Sequence, residues 1–289
     1  MLDCRPGRSS HVMGILNVTP DSFSDGRRYA SVDAAVQRAE QMLEEGAIIL
    51  DIGGESTRPR GKAYDAGATT VTAEEEIERT VPVIEAISRR FPHAILSIDT
   101  YKGEVARAAL RAGAHIINDV TGLRHGIGTA RAAADYGAPL VVMHALGKPG
   151  DMTHAQVYED VVDEVASSLA ESVRAARNAG VQHVVVDPGF GFGKSVEGNL
   201  KLIARLERFV ALGWPVLVGI SRKSTVGAVL GSEEVPAPVG ERLFGSLGLT
   251  ALVVMKGASI VRTHDVRPTV DLLKVLSAAE GVALREAAK

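Results

Sequence analysis

The side chains best placed for chemistry in this chain are polar residues that each end a stretch of Val, Ile and Leu. They are Asn17, Asp51, Asp99, Asn118 with Asp119, His144, Asp187, Ser221 and His264, with Arg262 two residues before the last. An arginine and a histidine on one face of a strand can hold a phosphate chain, and an asparagine oxygen can ligate Mg2+. The stretch 219-GISRKSTVG-227 adds Arg222, Lys223 and Ser224 ahead of a helical segment. Two cations and a hydroxyl beside a helix N-terminus suit an anion. The glycine-rich 187-DPGFGFGKS-195 follows neither familiar nucleotide code. A P-loop needs glycine where Pro188 stands, and a dinucleotide loop needs it where Lys194 stands. A nucleophile elbow fails at Lys223, and the histidines form no zinc-binding spacing.

Eight apolar runs carry these residues: 12–17, 47–53, 94–99, 115–119, 139–144, 183–188, 215–221 and 259–264. They are continuous rather than alternating, as parallel strands buried on both faces are. Between them lie Ala-, Glu- and Arg-rich segments with helical spacing, such as 32–46, 74–90, 102–113 and 157–180, several closing on glycine. Eight β-then-α units predict a single-domain (β/α)8 TIM barrel over residues 1–289, ahead of an open doubly wound sheet. In such a barrel the strand C-termini share one mouth, so the polar ends converge there. Any one of them alone reads as well as a cap. Asp51, beside Gly53 and Gly54, and Asp119, beside Thr121 and Gly122, are read as structural. The loops 18–29, with Phe23 exposed, and 53–72, with Thr57 and Arg58, have the composition of lids.

The chain has 289 residues and a formal charge of −3 without a basic run, which excludes nucleic acid as a natural partner. No signal-like start and no membrane-length apolar stretch is present, and Cys4 is the only cysteine. This composition predicts a soluble protein of the reducing cytoplasm.

The motifs 14-GILNVTPDSFSDG-26, 51-DIGGESTRP-59, 98-IDT-100, 117-INDVTG-122, Met143-His144, 187-DPGFGFGK-194, 219-GISRKS-224 and 261-VRTHDV-266 together resemble those of the bacterial dihydropteroate synthases. The resemblance covers nearly the whole chain. It implies a (β/α)8 homodimer that uses Mg2+, joins (7,8-dihydropterin-6-yl)methyl diphosphate to 4-aminobenzoate in folate biosynthesis, and is a sulfonamide target. It also implies roles. Asp99, Asn118, Asp187 and Lys223 would hold the pterin, with Met143, Phe192 and Gly219 against its ring. Asn17, Arg262 and His264 would take the diphosphate, with Mg2+ at Asn17. Thr57, Arg58, Ser224, Arg222, Phe23 and Phe192 would face 4-aminobenzoate. Catalysis would fall to Arg262, His264, Lys223 and Asp99.

Departures from the family pattern lie at Arg27 and Arg60, in a longer second loop, and at 145–156. Three alternatives compete: a methyltetrahydrofolate-dependent methyltransferase of the same fold, a pterin-binding paralogue without turnover, and a Schiff-base aldolase using Lys223.

Overall fold

The computed structural model describes residues 10–18, 28–55, 71–146 and 157–287. All eight apolar runs form strands, each within a few residues of the expected limits. These are β1 (His11–Asn17), β2 (Ile49–Gly53), β3 (Ile95–Asp99), β4 (Ile116–Asp119), β5 (Leu140–Met143), β6 (Val184–Asp187), β7 (Leu217–Gly219) and β8 (Ile260–Thr263). They pair in parallel in the order β6-β5-β4-β3-β2-β1-β8-β7. A parallel bridge between Val186 and Val216 brings the two ends together, so the sheet is a nearly closed barrel.

The helices between the strands are α1 (Arg28–Glu45), α2 (Ala73–Arg90), α3 (Gly103–Ala112), α4 (Gly128–Tyr136), α5 (Val161–Asn178), α6 (Val196–Ala204), the single turn α7 (Glu207–Val210), α8 (Ser224–Leu230), α9 (Leu243–Met255) and α10 (Val266–Ala287). Their limits follow local chemistry. Thr72 caps α2 by accepting from Glu75 N–H, and Asp160 caps α5 by accepting from Val162 and Asp163 N–H. Gly113 and Gly137 end α3 and α4 in the left-handed conformation.

Two apolar layers result. Outward-facing strand residues such as Leu50, Leu96, Ile117 and Val186 join the inner faces of the helices in the main core. Met13, Ile49, Val141, Val185, Leu217 and Ile260 point inward and plug the barrel. Because side chains alternate along a strand, whatever lies two residues further on stands directly above that plug.

Candidate active site

One step above the plug, charged side chains enter the barrel interior beside Ile15, Met143 and Gly219. Asp51 follows Ile49, Met143 follows Val141, Asp187 follows Val185, Gly219 follows Leu217 and Arg262 follows Ile260, each by two residues. The register sets Asn17, Gly53, Asp99 and Asn118 side by side on four adjacent strands. A Cβ on Gly53 would stand 3.7 Å from both Asn17 Oδ1 and Asp99 Oδ2, so these oxygens flank one narrow gap.

Arg262 is the hub of this floor. Its Nε donates to Asp51 Oδ2 (2.6 Å) and its Nη2 to Asp99 Oδ2 (2.7 Å), while Asn118 Nδ2 also donates to Asp51 Oδ2 (3.0 Å). Asp51 is therefore a site-floor residue, which corrects its reading as part of a structural turn. Its inward parity with Ile49 decides the matter. Asp119 points outward and accepts from Thr121 N–H, Thr121 Oγ1 and Thr129 Oγ1, a structural position. Burial raises the Asp99 carboxyl to about 7 against the pull of Arg262. Burial opposes the Arg262 cation too, but Asp51 and Asp99 outweigh it and hold it above its ordinary value.

The loop after β6 forms one wall. Asp187 Oδ1 accepts from Gly189 N–H (2.7 Å), and burial raises this carboxyl to about 6. Lys194 is fully buried and donates to the carbonyls of His144, Gly189 and Phe192 at 3.2, 2.9 and 2.9 Å. It ties the loop to the end of β5 and faces no open phosphate cradle. Phe192 joins Val120, Met143 and Ala145 in a small apolar cluster separate from the main core, a surface suited to a flat ring. Lys223 Nζ lies 3.7 Å from the centroid of the Phe192 ring, and burial lowers this amine to about 7. A Cβ on Gly191 would come within 2.8 Å of the Lys223 stem, so glycine is what lets the lysine lie there.

β7 and β8 supply the remaining corner. Arg222 has φ 60, a left-handed conformation uncommon for arginine, which turns it away from its neighbours Ser221 and Lys223. Its fork binds Asp265, Nε to Oδ2 at 3.1 Å and Nη2 to Oδ1 at 2.5 Å. Arg222, expected on the 4-aminobenzoate side with Ser224, thus pairs with Asp265 through two of its donors. Ser224 begins α8 directly after Lys223. His264 lies against Ser221, Oγ to Nδ1 3.0 Å, and burial with Arg262 and Arg222 lowers the imidazole to about 3.

His144 does not share the mouth. Its parity is opposite to that of Met143, its ring stacks obliquely on Tyr158 with centroids 6.3 Å apart, and burial depresses it to about 2. Phe23, Thr57 and Arg58 lie outside the described residues, as do Arg27 and Arg60. Among the described residues no group of three or more His, Cys, Asp or Glu side chains could hold a metal ion. No described helix is long and apolar enough to cross a membrane.

A barrel whose mouth joins carboxylates, a flat apolar wall and an arginine-histidine corner defines a class, and the comparisons identify it. Residues 13–264 match the family described as pterin binding enzyme, and the chain belongs to it. The particular relatives are dihydropteroate synthases. The enzyme of Escherichia coli is 46% identical over 270 residues, covering 93% of this chain and 91% of the relative. The Xanthomonas albilineans enzyme solved with 4-aminobenzoic acid is 46% identical with a TM-score of 0.84, covering 94% of this chain and 93% of that one. The same enzyme in complex with 7,8-dihydropteroate gives 43% identity and a TM-score of 0.80, with 94% of each chain covered.

Proposed function

We propose that this protein is a dihydropteroate synthase, joining (7,8-dihydropterin-6-yl)methyl diphosphate to 4-aminobenzoate and releasing diphosphate. The observation that carries the reading is the shared floor. Arg262 is bound by Asp51 and Asp99 one step above the apolar plug, with Asn17 in the same row as Asp99. The relatives at 46% identity support the same conclusion.

In this reading the pterin lies on the Met143–Phe192 wall with its guanidine-like edge at Asp187, and Asp99, Asn118 and Lys223 contact its rim. Gly219, level with Arg262, leaves room for the ring. A carboxylate accepts two parallel N–H groups from such an edge. The C–O bond to diphosphate breaks with its electron pair on the leaving group. The 4-aminobenzoate nitrogen then forms the new C–N bond and loses a proton. Negative charge grows on the leaving oxygens, so Arg262 and His264 act more strongly on the transition state than on the bound substrate. The arylamine is neutral at physiological pH and needs no strong base. Ser224, with Thr57 and Arg58 from the second loop, would hold the 4-aminobenzoate carboxylate.

Mg2+ takes oxygen ligands, and of the two oxygens nearest Gly53, Asn17 Oδ1 is the one not already paired among the described residues, since Asp99 Oδ2 accepts from Arg262. One or two protein oxygens with substrate phosphates are an ordinary Mg2+ environment. Asn17 would hold the ion, and its chemical contribution when bound is positive charge beside the departing diphosphate.

Chain pairing completes the proposal. Helix α9 turns Ser246, Thr250 and Val253 inward and leaves Phe244 81% and Met255 67% exposed, with Val229 and Leu230 of α8 also exposed. A patch of this kind suits a symmetric homodimer. The deciding assay supplies purified protein with Mg2+ and both substrates. Stoichiometric dihydropteroate and diphosphate are expected, and absence of both products would refute the assignment. Sedimentation should give a dimer that Phe244→Glu converts to monomer.

A further inference from the structure

Ser221 stands at the end of β7 with its hydroxyl at the centre of three contacts. It accepts from the main-chain N–H of His264 (3.2 Å), lies 3.0 Å from His264 Nδ1, and lies 3.4 Å from Asp265 Oδ2. A serine hydroxyl has one proton and two lone pairs. One lone pair is committed to the His264 N–H, so the proton must go either to Nδ1 or to Asp265.

Two observations favour Nδ1. It lies nearer the hydroxyl, 3.0 Å against 3.4 Å for Asp265 Oδ2, and the Asp265 carboxylate is already gripped by both arms of the Arg222 fork. The turn that presents Ser221 is firmly held. Arg222 N–H donates to Ser246 Oγ (3.1 Å), and the Arg222 carbonyl accepts from Arg242 Nη1 (3.0 Å). Burial and the cations Arg262 and Arg222 keep the ring neutral, so a hydrogen bond received at Nδ1 leaves the single ring proton on Nε2. Nε2 makes no hydrogen bond with any described residue.

We propose that Ser221 is a positioning residue that fixes His264 in the Nε2–H tautomer, so that the neutral imidazole offers a donor and not a lone pair to an anionic oxygen. The catalytic consequence rests on the assignment of His264 to the leaving diphosphate; the tautomer does not. The opposite tautomer would aim a lone pair at a growing negative charge, which repels it.

The test uses the full-length protein labelled with 15N-histidine. Two-bond 1H–15N correlations report the tautomer of each ring, with His264 assigned by its absence in His264→Gln. The wild type should show the Nε2–H form, Ser221→Ala a mixture, and Ser221→Thr a return toward the wild-type signal. Loss of one such hydrogen bond should lower kcat by about tenfold in Ser221→Ala. The KM for 4-aminobenzoate and the affinity for a pterin lacking diphosphate should stay unchanged. In a His264→Gln background Ser221→Ala should add no further loss. An Nδ1–H signal in the wild type, or an undiminished Ser221→Ala effect without His264, overturns the proposal. If the protein made no dihydropteroate, the functional assignment would fall while the tautomer spectrum still decided the inference.

Discussion

Replacing Gly189 by alanine tests whether the loop after β6 is as tightly determined as its contacts imply. At φ +69 an added Cβ would stand 1.8 Å from the His144 carbonyl oxygen and 2.9 Å from its carbon. Ordinary carbon contacts lie near ~3.5 Å, so the loop or the end of β5 must shift by more than about 1 Å. That shift breaks the bond from Gly189 N–H to Asp187 and loosens the carbonyl grip on Lys194 Nζ. Hydrogen bonds to buried charged groups contribute roughly 1.5–3 kcal/mol each, and an alanine forced to positive φ costs about 1–2 kcal/mol. With both bonds lost the sum is about 4–8 kcal/mol, a large part of a total stability of about 5–15 kcal/mol. Gly137 is the control. It has φ +65 with nothing within 4 Å of the added Cβ, so Gly137→Ala carries the backbone term alone. At about 2 °C per kcal/mol for a chain of this size, Gly137→Ala should lower Tm by roughly 2–4 °C and Gly189→Ala by about 10 °C. Pterin affinity by calorimetry should fall only in Gly189→Ala. Equal Tm shifts in the two variants would refute the clamp.

Asp51→Asn should lower Tm and kcat together, because Arg262 Nε and Asn118 Nδ2 both donate to the carboxylate it removes; about 3–6 kcal/mol is at stake for two buried bonds to a charged group. Wild-type turnover in that variant would return Asp51 to a purely structural role. Lys102→Met should be more severe, about 3–5 kcal/mol at pH 7, since Lys102 Nζ bridges the buried carboxylates of Glu55 (2.5 Å) and Glu76 (2.6 Å). Its deficit in thermal stability should shrink as pH falls, since burial already raises the Glu76 carboxyl and the abandoned group takes up a proton. Asp187 carries a pH signature with the opposite sign to a salt-bridged carboxylate. Its folded-state value of about 6 lies above 3.8, so its contribution is present at low pH and is lost as pH rises to about 6. Asp187→Asn should therefore gain on the wild type by roughly 2 kcal/mol between pH 4 and 7, measured on ligand-free protein. A constant difference across that range would argue against the buried carboxyl.

Legibility in the sequence followed physical range. Continuous Val and Ile runs report burial on both faces, a property of neighbouring residues, so all eight strands could be located. Polar residues at the run ends pointed to one mouth, and parity along each strand adds which of them face inward. Asp51 shows what happens when adjacent glycines are weighed above parity, because Ile49 two residues earlier already fixed its direction. His144 is the same lesson reversed, since inward Met143 sends its neighbour outward. Arg222 was not legible in this way. Its direction depends on a left-handed φ held by Ser246 and Arg242, residues 24 and 20 positions away in the chain. The partner of Lys194 was hidden for a similar reason, as three carbonyls converge only after the loop folds.

The floor also explains why so many charges can lie buried in one barrel. Asp51, Asp99 and Arg262 are each costly alone in a medium of low polarity, yet the arginine fork satisfies one oxygen of each carboxylate at once. Asp51 Oδ1, Asp99 Oδ1 and Ser97 Oγ, which sits level with Asp51, make no hydrogen bond with any described residue. Leaving such atoms unmatched costs about 1–3 kcal/mol each, so evolution toward stability alone would favour an apolar filling here. A ligand whose N–H groups reach Asp99 Oδ1 recovers part of that cost on binding, which makes the same atoms a source of affinity for a hydrogen-bonding heterocycle. An apolar ring of the same shape has no such gain available, so unmatched acceptors of this kind favour a heterocycle that carries N–H groups at its edge.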